Sequence, residues 1–469
     1  MTIELSTTTR RGDALRGLGT VQVPGDPGYD AARLPWNVAV DQRPAAVAHP
    51  TDVAEVQQLV RAAASADLRI APQSTGHNAG PLAAQGLDDV LVLRTSAMTR
   101  VTVDPARRTA RVEGGSLWMH ATEPAAEHGL AALHGSSPDV GIAGYSLGGG
   151  IGWYARKLGL ATNSLTAVEL VTAEGEHLRA DSYRNPELFW ALRGGGGSFG
   201  VVTALEFRLY PIETAYAGMM VWDVTRAESV FHEWAAWAPT APDEVTTALR
   251  VLNLPPLPDI PAPLRGRSVV VIDGAVLTGD AHAESILGGL RALGPEMDTF
   301  GRVPARTLTR LHMDPEGPSP FVSDTAMLDA LPQAAIDAFL GEVGPGTSSS
   351  LLLVELRQLG GALGRDHEGG GALKRLDAQF VAFAGAVAAT PEMAAQGEHD
   401  AHRLVKALTP WANGRNYLNF AEGAVDPRTG YDELTWLRLK AIRSAVDPNG
   451  LFVGNHRIPR LVEDGRVTD

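Results

Sequence analysis

The sequence contains no cysteine, which excludes disulfide bonds, thiolate metal sites and cysteine nucleophiles. No run in it approaches the roughly 20 consecutive apolar residues that a helix needs to span a bilayer. Positive charge is scarce, since 40 Lys and Arg residues stand against 54 Asp and Glu residues and leave a formal net charge of −14. A nucleic-acid partner requires a basic surface. These absences predict a cytoplasmic protein that binds neither nucleic acid nor membranes.

The chain is long and rich in glycine. A chain of 469 residues is too long to fold around a single hydrophobic core, so we expect two or more domains. The apolar fraction of 44% and the charged fraction of 20% are typical of globular proteins. Glycine occurs 51 times, above the usual share of about 7%, and the glycines cluster.

An arginine pair, Arg10-Arg11, lies near the amino terminus. Such a pair is typical of twin-arginine export signals, which continue into an apolar segment. No apolar segment follows here, so we expect an ordinary polar leader.

The loop around His77 is the strongest local signal. A strand-like run, Leu68–Ala71, leads into the loop Ala71–Gly80, which contains a proline, small hydroxyl residues and glycine. A loop of this kind exposes backbone N–H groups that can hold a pyrophosphate, and an imidazole beside it could bond covalently to the cofactor. A loop histidine is more often a packing or surface residue, so His77 alone leaves both interpretations open.

A second glycine motif offers a rival function. Gly144–Gly148 matches G-x-S-x-G, the nucleophile elbow of α/β-hydrolases, with Ser146 as the nucleophile. The elbow requires a buried strand before it and a helix after it. The preceding run Asp139–Ala143 is short, and the glycines that follow start a helix poorly. A serine hydrolase is therefore the less favoured alternative.

A third motif, Gly195–Gly200, matches the dinucleotide fingerprint G-x-G-x-x-G. Its context is reversed, because a predicted helix precedes it and a β-branched run follows, whereas a Rossmann site runs from strand to glycines to helix. These glycines can still let the backbone approach a phosphate closely. Three glycine-rich surfaces within 200 residues fit one long, polyanionic cofactor.

Taken together, these stretches resemble the vanillyl-alcohol-oxidase superfamily of flavoproteins and, within it, the berberine-bridge-enzyme-like oxidases. The matching segments keep the family's order along the chain: Ala71–Gly80, Ser137–Gly152, Leu188–Phe207, Leu353–Ala362, Asn416–Phe420 and Asp447–Ile458. The resemblance implies an α+β fold, in which a PCMH-type two-subdomain FAD-binding domain carries an inserted antiparallel-sheet substrate domain. The implied divisions are an FAD-binding domain at 1–214 with its core at about 40–212, a substrate domain at 215–410, and a returning segment at 411–469.

The resemblance also implies the cofactor contacts. His77 matches the histidine that bonds covalently to the flavin, and Ser137 stands where many members have a second bonding cysteine, so we expect a single histidyl linkage to FAD. Gln73 and Thr75 depart from a commoner arginine and glycine. The implied cofactor-binding residues are Gln73, Ser74, Thr75, Gly76, His77, Asn78, Ser137, Val140, Gly141, Gly144, Tyr145, Gly149, Gly200, Val201, Val202, Tyr417 and Asn419.

The implied activity is that of an FAD-dependent oxidase. It would take hydride from a C–H bond of a small alcohol, sugar, amine or polyketide-like substrate and pass the electrons to O2. Val140 falls where a small side chain accompanies oxygen access in relatives, which favours an oxidase over a dehydrogenase or monooxygenase. Neither the substrate nor the oligomeric state follows from the sequence.

Three residues are candidates for the catalytic base. Glu355 lies in the predicted strand Leu351–Leu356 and shares a strand face with Arg357, so burying it is costly unless it is paired or used. The matched strand faces the flavin in relatives, which makes Glu355 the first candidate, with a purely structural ion pair to Arg357 as the alternative. Tyr417 and Tyr145 are the second and third candidates.

Histidines elsewhere do not predict a metal site. His399 and His402 are spaced for one face of a helix, but no carboxylate partner can be assigned to them. We therefore expect no metal.

Overall fold

The computed structural model describes residues 11–258 and 260–461, so Arg10 of the arginine pair lies outside the described residues. The first part of the chain builds a small parallel sheet. Its three strands have the order β1-β3-β2 and bounds Ala46–Ala48 (β1), Arg69–Gln73 (β2) and Val90–Arg94 (β3). The predicted strand before the His77 loop is therefore β2, and it ends four residues before His77.

A five-stranded antiparallel sheet follows, with the order β4-β5-β8-β6-β7. Its first two strands pair as an antiparallel hairpin. The strand bounds are Val101–Asp104 (β4), Thr109–Glu113 (β5), Leu165–Val171 (β6), His177–Asp181 (β7) and Val201–Arg208 (β8).

Seven short or medium helices accompany these two sheets. The longest begins after Asp52, whose side chain accepts a hydrogen bond from the Glu55 backbone N–H at 2.9 Å and caps the helix. Its buried face carries Val56, Leu59, Val60 and Ala63. The helices are Tyr29–Ala32 (α1), Val53–Ser65 (α2), Gly80–Ala83 (α3), Trp118–Ala126 (α4), Ile142–Leu147 (α5), Ala155–Leu158 (α6) and Pro186–Leu192 (α7).

The middle of the chain forms an eight-stranded antiparallel sheet with the order β12-β9-β11-β10-β15-β16-β14, and β13 also pairs with β9. The strands are Thr214–Asp223 (β9), Val245–Asn253 (β10), Ser268–Val276 (β11), Met297–Asp298 (β12), Gly301–Pro304 (β13), Phe321–Leu328 (β14), Leu353–Gln358 (β15) and Phe380–Val387 (β16). Strand β15 thus begins at Leu353, two residues after the predicted start at Leu351.

The two faces of this large sheet differ in chemistry. On β15, Val354 and Leu356 turn into an apolar core that is covered by helices, while Glu355 and Arg357 turn to the opposite face. That opposite face lies against the first part of the chain and carries the polar groups described below. The covering helices are Ala227–Trp237 (α8), Asp280–Arg291 (α9), Gln333–Val343 (α10) and Pro391–Leu408 (α11).

The last segment of the chain returns to the first sheet. The backbone N–H of Ile70 in β2 donates to the Leu451 carbonyl at 2.7 Å, and Phe452 forms a parallel bridge to Ile70. The helix Glu433–Val446 (α12) packs against α7. No helix within residues 11–258 and 260–461 is both long and apolar enough to cross a membrane.

Candidate functional site

A cavity of about 570 Å³ lies between the large sheet and the first part of the chain. Loops, the polar sheet face and the returning segment all contribute to its wall. The contributing stretches are 72–78, 135–148, 194–197, 312–321, 352–357, 417–422 and 454–456. Residues far apart in sequence therefore meet around one space that is large enough for an extended ligand.

Most of the residues expected to hold a cofactor line this cavity. They are Gln73, Ser74, Thr75, Gly76, His77, Asn78, Ser137, Val140, Gly141, Gly144, Tyr145, Gly200, Val202, Tyr417 and Asn419, and the candidate base Glu355 joins them. Two expected residues lie outside the wall. The Val201 side chain lies on the other face of β8, where it packs in a hydrophobic cluster with Val171. Gly149 faces Leu373 and the Tyr417 ring rather than the cavity.

His77 is held rigidly at the cavity wall. Its ring stacks on Trp36, with ring centroids 4.1 Å apart and planes 15° from parallel. Nδ1 lies 2.7 Å from the Thr75 hydroxyl oxygen. Burial lowers the pKa of His77 to about 4, although the charges of Asp139 and Asp314 oppose the shift. At neutral pH the imidazole is therefore uncharged and keeps a nitrogen lone pair.

Asp139 is the carboxylate nearest His77. It accepts hydrogen bonds from the Ser137 hydroxyl at 2.6 Å, the Trp36 indole N–H at 2.8 Å and the Gly317 backbone N–H at 2.8 Å. Its Oδ1 lies 3.9 Å from His77 Nε2. Ser137, expected where relatives carry a second bonding residue, thus lies within the group that surrounds His77.

Glycines make close approaches possible around the same loop. Gly76 has φ +81°, and a Cβ there would lie 2.7 Å from the Pro35 Cβ. At Gly80 a Cβ would lie 2.2 Å from the Glu422 carbonyl oxygen, so the returning segment rests directly on the backbone of the loop. Gly196 and Gly197 have open space where a Cβ would be, and both line the cavity.

The two tyrosines lie in the same wall but differ in their hydrogen bonds. The Tyr417 hydroxyl oxygen accepts from the Gly150 backbone N–H at 2.8 Å and from the Asn419 amide at 3.2 Å. The Tyr145 hydroxyl is buried and has no partner among the described residues. Burial raises the pKa of both phenols above the ordinary value, so both carry their protons at neutral pH.

A chain of buried charges crosses the polar sheet face. Glu355 forms an ion pair with the Arg357 guanidinium and lies 3.2 Å from His312 Nε2. His312 Nδ1 lies 2.8 Å from an Asp273 carboxylate oxygen, which also accepts from Arg250 at 2.5 Å. Sheet register explains the assembly, since Arg250 pairs directly with Glu355 across β10 and β15.

The contacts within this row of buried charges set the protonation states of Glu355 and His312. Burial alone would raise the pKa of Glu355, but Arg357 and His312 hold it far below its ordinary value. Burial would likewise lower the pKa of His312, yet Asp273, Asp314 and Glu355 raise it to about 9. At neutral pH Glu355 is therefore negatively charged and His312 positively charged, and the two form an ion pair. The structure contains the ion pair that the sequence offered as the alternative role for Glu355.

Glu422 is a second carboxylate on the cavity wall. It is half-buried, and its Oε2 accepts a hydrogen bond from the Ser323 hydroxyl at 2.8 Å. Among the described residues no Lys, Arg or His forms an ion pair with it. Burial raises the pKa of Glu422 to about 7, while the Ser323 bond opposes that shift.

Sequence reasoning missed several wall residues. Glu422 follows the NYLNF segment by two positions, so its place was within reach of the motif. Asp139 lies inside the matched segment Ser137–Gly152 without standing out in it, and Trp36 lies well before the first matched segment. His312 carries no local signal, because its partners Asp273 and Glu355 lie about 40 residues away on either side.

The two other glycine motifs differ in their position relative to the cavity. Ser146 lies inside the helix α5, is buried, and is preceded by a loop rather than a strand, so the geometry of a nucleophile elbow is missing. Gly195–Gly200 lies between α7 and β8, as its reversed context predicts, and Gly194–Gly197 line the cavity.

Comparisons with known proteins find an FAD-binding domain and similarity to oxidases. The FAD binding domain family matches residues 44–181. (R)-6-hydroxynicotine oxidase of Paenarthrobacter nicotinovorans is 38% identical over 205 residues, covering 44% of this chain and 44% of that protein. Chitooligosaccharide oxidase of Gibberella zeae is 26% identical over 453 residues, covering 89% and 87%. The chain spans about half the length of the first curated relatives that it matches, at 44%, 41% and 53%.

Solved structures share the whole architecture. The crystal structure of 6-hydroxy-D-nicotine oxidase from Arthrobacter nicotinovorans superposes with a TM-score of 0.81 at 26% identity, covering 94% of this chain and 97% of that one. BBE-like 1 from Physcomitrella patens gives a TM-score of 0.84 at 23% identity, covering 96% and 99%, which shows the common fold.

The cavity fits the cofactor that these comparisons imply. Four wall residues have buried polar atoms without a partner among the described residues: Ser74 Oγ, His77 Nε2, Asn78 Oδ1 and Tyr145 Oη. Unpaired buried polar atoms cost free energy unless a ligand bonds them. Together with the open glycine surface at 194–197, they suit an FAD whose pyrophosphate, ribityl chain and ring are all polar at their edges.

Proposed function

We propose that the chain is an FAD-linked oxidoreductase similar to the PCMH-type superfamily and its berberine-bridge-enzyme-like group, and that it uses FAD to oxidise a small organic substrate and passes the electrons to O2. The observation that carries this proposal is the single cavity in which the His77 loop, the glycine surface and the polar sheet face meet. FAD supplies hydride acceptance and oxygen reduction there, while the protein supplies orientation and electrostatics.

We further propose that His77 bonds covalently to the flavin and that Ser137 makes no such bond. The uncharged imidazole, oriented by Trp36 and Thr75, supports the histidyl linkage because its free lone pair can act as a nucleophile. The Ser137 hydroxyl donates to Asp139 and so orients the carboxylate nearest His77.

For the proton acceptor we propose Glu355 ahead of Tyr417, because the Glu355 carboxylate is ionised at neutral pH whereas the Tyr417 phenol carries its proton. Arg357 and His312 hold the carboxylate in place. Tyr417, whose hydroxyl oxygen accepts from the Gly150 N–H and the Asn419 amide, is the second candidate. Tyr145 remains the third candidate.

The domain division and the substrate domain are also part of this proposal. The large sheet spans residues 214–387, which supports a substrate domain at 215–410 between an FAD-binding domain at 1–214 and the returning segment at 411–469. The named relatives act on 6-hydroxynicotine and on chitooligosaccharides, so amines and sugars are the first substrates to test. A cytoplasmic location stays a prediction.

An anaerobic screen tests the proposed activity. Purified yellow protein is mixed with amines, sugars and alcohols in turn, and loss of the flavin absorbance reports reduction. We expect at least one class to bleach the flavin, and we expect air to restore the colour with release of hydrogen peroxide. Bleaching without reoxidation by O2 would favour a dehydrogenase, and a colourless protein would refute the proposal.

The same screen separates the candidate bases. With a compound that bleaches the flavin, Glu355→Gln should lower the reduction rate by about 10²–10⁴-fold, the range for a lost general base. Tyr417→Phe is measured beside it and should lower the rate less. A larger loss in Tyr417→Phe than in Glu355→Gln would contradict the assignment.

A further inference from the structure

The wall of the cavity around Glu422 is aromatic. Phe321 and Phe383 stack with ring centroids 6.3 Å apart and planes 8° from parallel, and Phe420 meets Phe383 edge-on at 5.5 Å. The Phe321 ring lies over Gly385, where a Cβ would come within 2.2 Å of it. All three rings line the cavity.

Glu422 lies at this aromatic wall, and no Lys, Arg or His in residues 11–258 or 260–461 forms an ion pair with it. Ser323, which donates to its carboxylate, lies two residues after Phe321 on β14 and therefore on the same face of the sheet. Arg357 also lines the cavity, with its guanidinium 5.3 Å from the centroid of the Phe420 ring. Its charge is already matched by Glu355. His456, also on the wall, is kept uncharged because burial lowers its pKa to about 4.

A half-buried carboxylate without a cation is costly in a site of low dielectric. The cost disappears when a ligand brings a positive charge, and the faces of aromatic rings attract the same charge. A sugar or neutral alcohol would leave the carboxylate uncompensated. The raised pKa of Glu422 agrees with a group that lacks its partner in the free protein.

We propose that Glu422, with the rings of Phe321, Phe383 and Phe420, binds the protonated amine of the substrate. The substrate class is thus an organic ammonium compound with an apolar body rather than a sugar. This inference rests on the proposed function, because it assigns the substrate of the same cavity.

Two small probes of similar shape test the inference by calorimetry at pH 8, where benzylamine is an ammonium ion and benzyl alcohol is neutral. The wild-type holoenzyme should bind benzylamine at least ten-fold more tightly than benzyl alcohol. Glu422→Gln keeps the size and can still accept from Ser323. It should weaken benzylamine binding about ten-fold and benzyl alcohol binding less than two-fold.

Asp324→Asn is the matched control, since Asp324 is the neighbouring carboxylate on the opposite face of β14 and lies beside His402. It should leave both affinities within two-fold of wild type. Equal wild-type binding of the two probes would overturn the inference, and so would unchanged benzylamine binding in Glu422→Gln. The wild-type comparison holds even if a variant fails to fold. The flavin absorbance of the same samples tests the proposed function separately.

Discussion

Replacing His312 by glutamine should remove a measurable pH dependence from the stability of the protein. His312 is buried between Asp273 and Glu355, with one carboxylate oxygen at 2.8 Å and the other at 3.2 Å from its ring nitrogens. Burial disfavours its positive charge, but these carboxylates and Asp314 raise its pKa to about 9. The folded protein therefore holds a proton that the unfolded chain releases near pH 6.5.

The size of the effect follows from linkage. A folded-state pKa raised above the unfolded value stabilises the protein fully below pH 6.5, and this stabilisation is lost as the pH rises through 9. Each pKa unit corresponds to about 1.4 kcal/mol, so the full contribution is on the order of 3 kcal/mol. Between pH 7 and pH 9 the protein loses about 2 kcal/mol of this stabilisation.

Urea unfolding of wild type and His312→Gln at pH 7, 8 and 9 measures this difference. Groups that titrate in both proteins contribute equally to both. The difference in the free energy of unfolding between wild type and His312→Gln should therefore narrow by about 2 kcal/mol from pH 7 to pH 9. His402→Gln, at an exposed histidine beside Asp324, is the matched control and should follow the wild-type profile. A gap that stays constant across this range would refute the assigned charge on His312.

Three further changes test the packing of the site by urea unfolding. Arg357→Met leaves the Glu355 carboxylate buried without its guanidinium, and we expect a loss of about 3–5 kcal/mol in the free energy of unfolding. Gly80→Ala places a Cβ 2.2 Å from a backbone oxygen of the returning segment, which should cost about 1–3 kcal/mol. Tyr417→Phe leaves the buried Gly150 N–H without its acceptor, at an expected cost of about 1–3 kcal/mol. A change below 0.5 kcal/mol in any of the three would contradict the contact concerned.

Features encoded locally could be predicted from the sequence. The hairpin of β4 and β5 is recognisable because alternating residues flank a turn. The His77 loop follows a strand and precedes glycine, so the local backbone chemistry already indicates a cradle for phosphate. Such signals depend on residues within about ten positions of each other.

The charge chain across the sheet could not be predicted in this way. Glu355 and Arg357 lie two residues apart in one strand, so the sequence alone indicates that they can pair. His312 and Asp273 reach them only through the register of β10, β11 and β15 together with the loop before β14. Strand order and register arise from packing of the whole sheet, which no local pattern encodes. The uncompensated charge of Glu422 is hidden for the same reason.

The covalent attachment of flavin at His77 is the central claim, and acid precipitation tests it most directly. Wild-type protein is precipitated with trichloroacetic acid and run on a denaturing gel under ultraviolet light beside His77→Ala. We expect flavin fluorescence to stay with the wild-type chain, whereas the variant should release its flavin into the acid supernatant. Fluorescence that remains on the His77→Ala chain, or that leaves the wild-type chain, would contradict it.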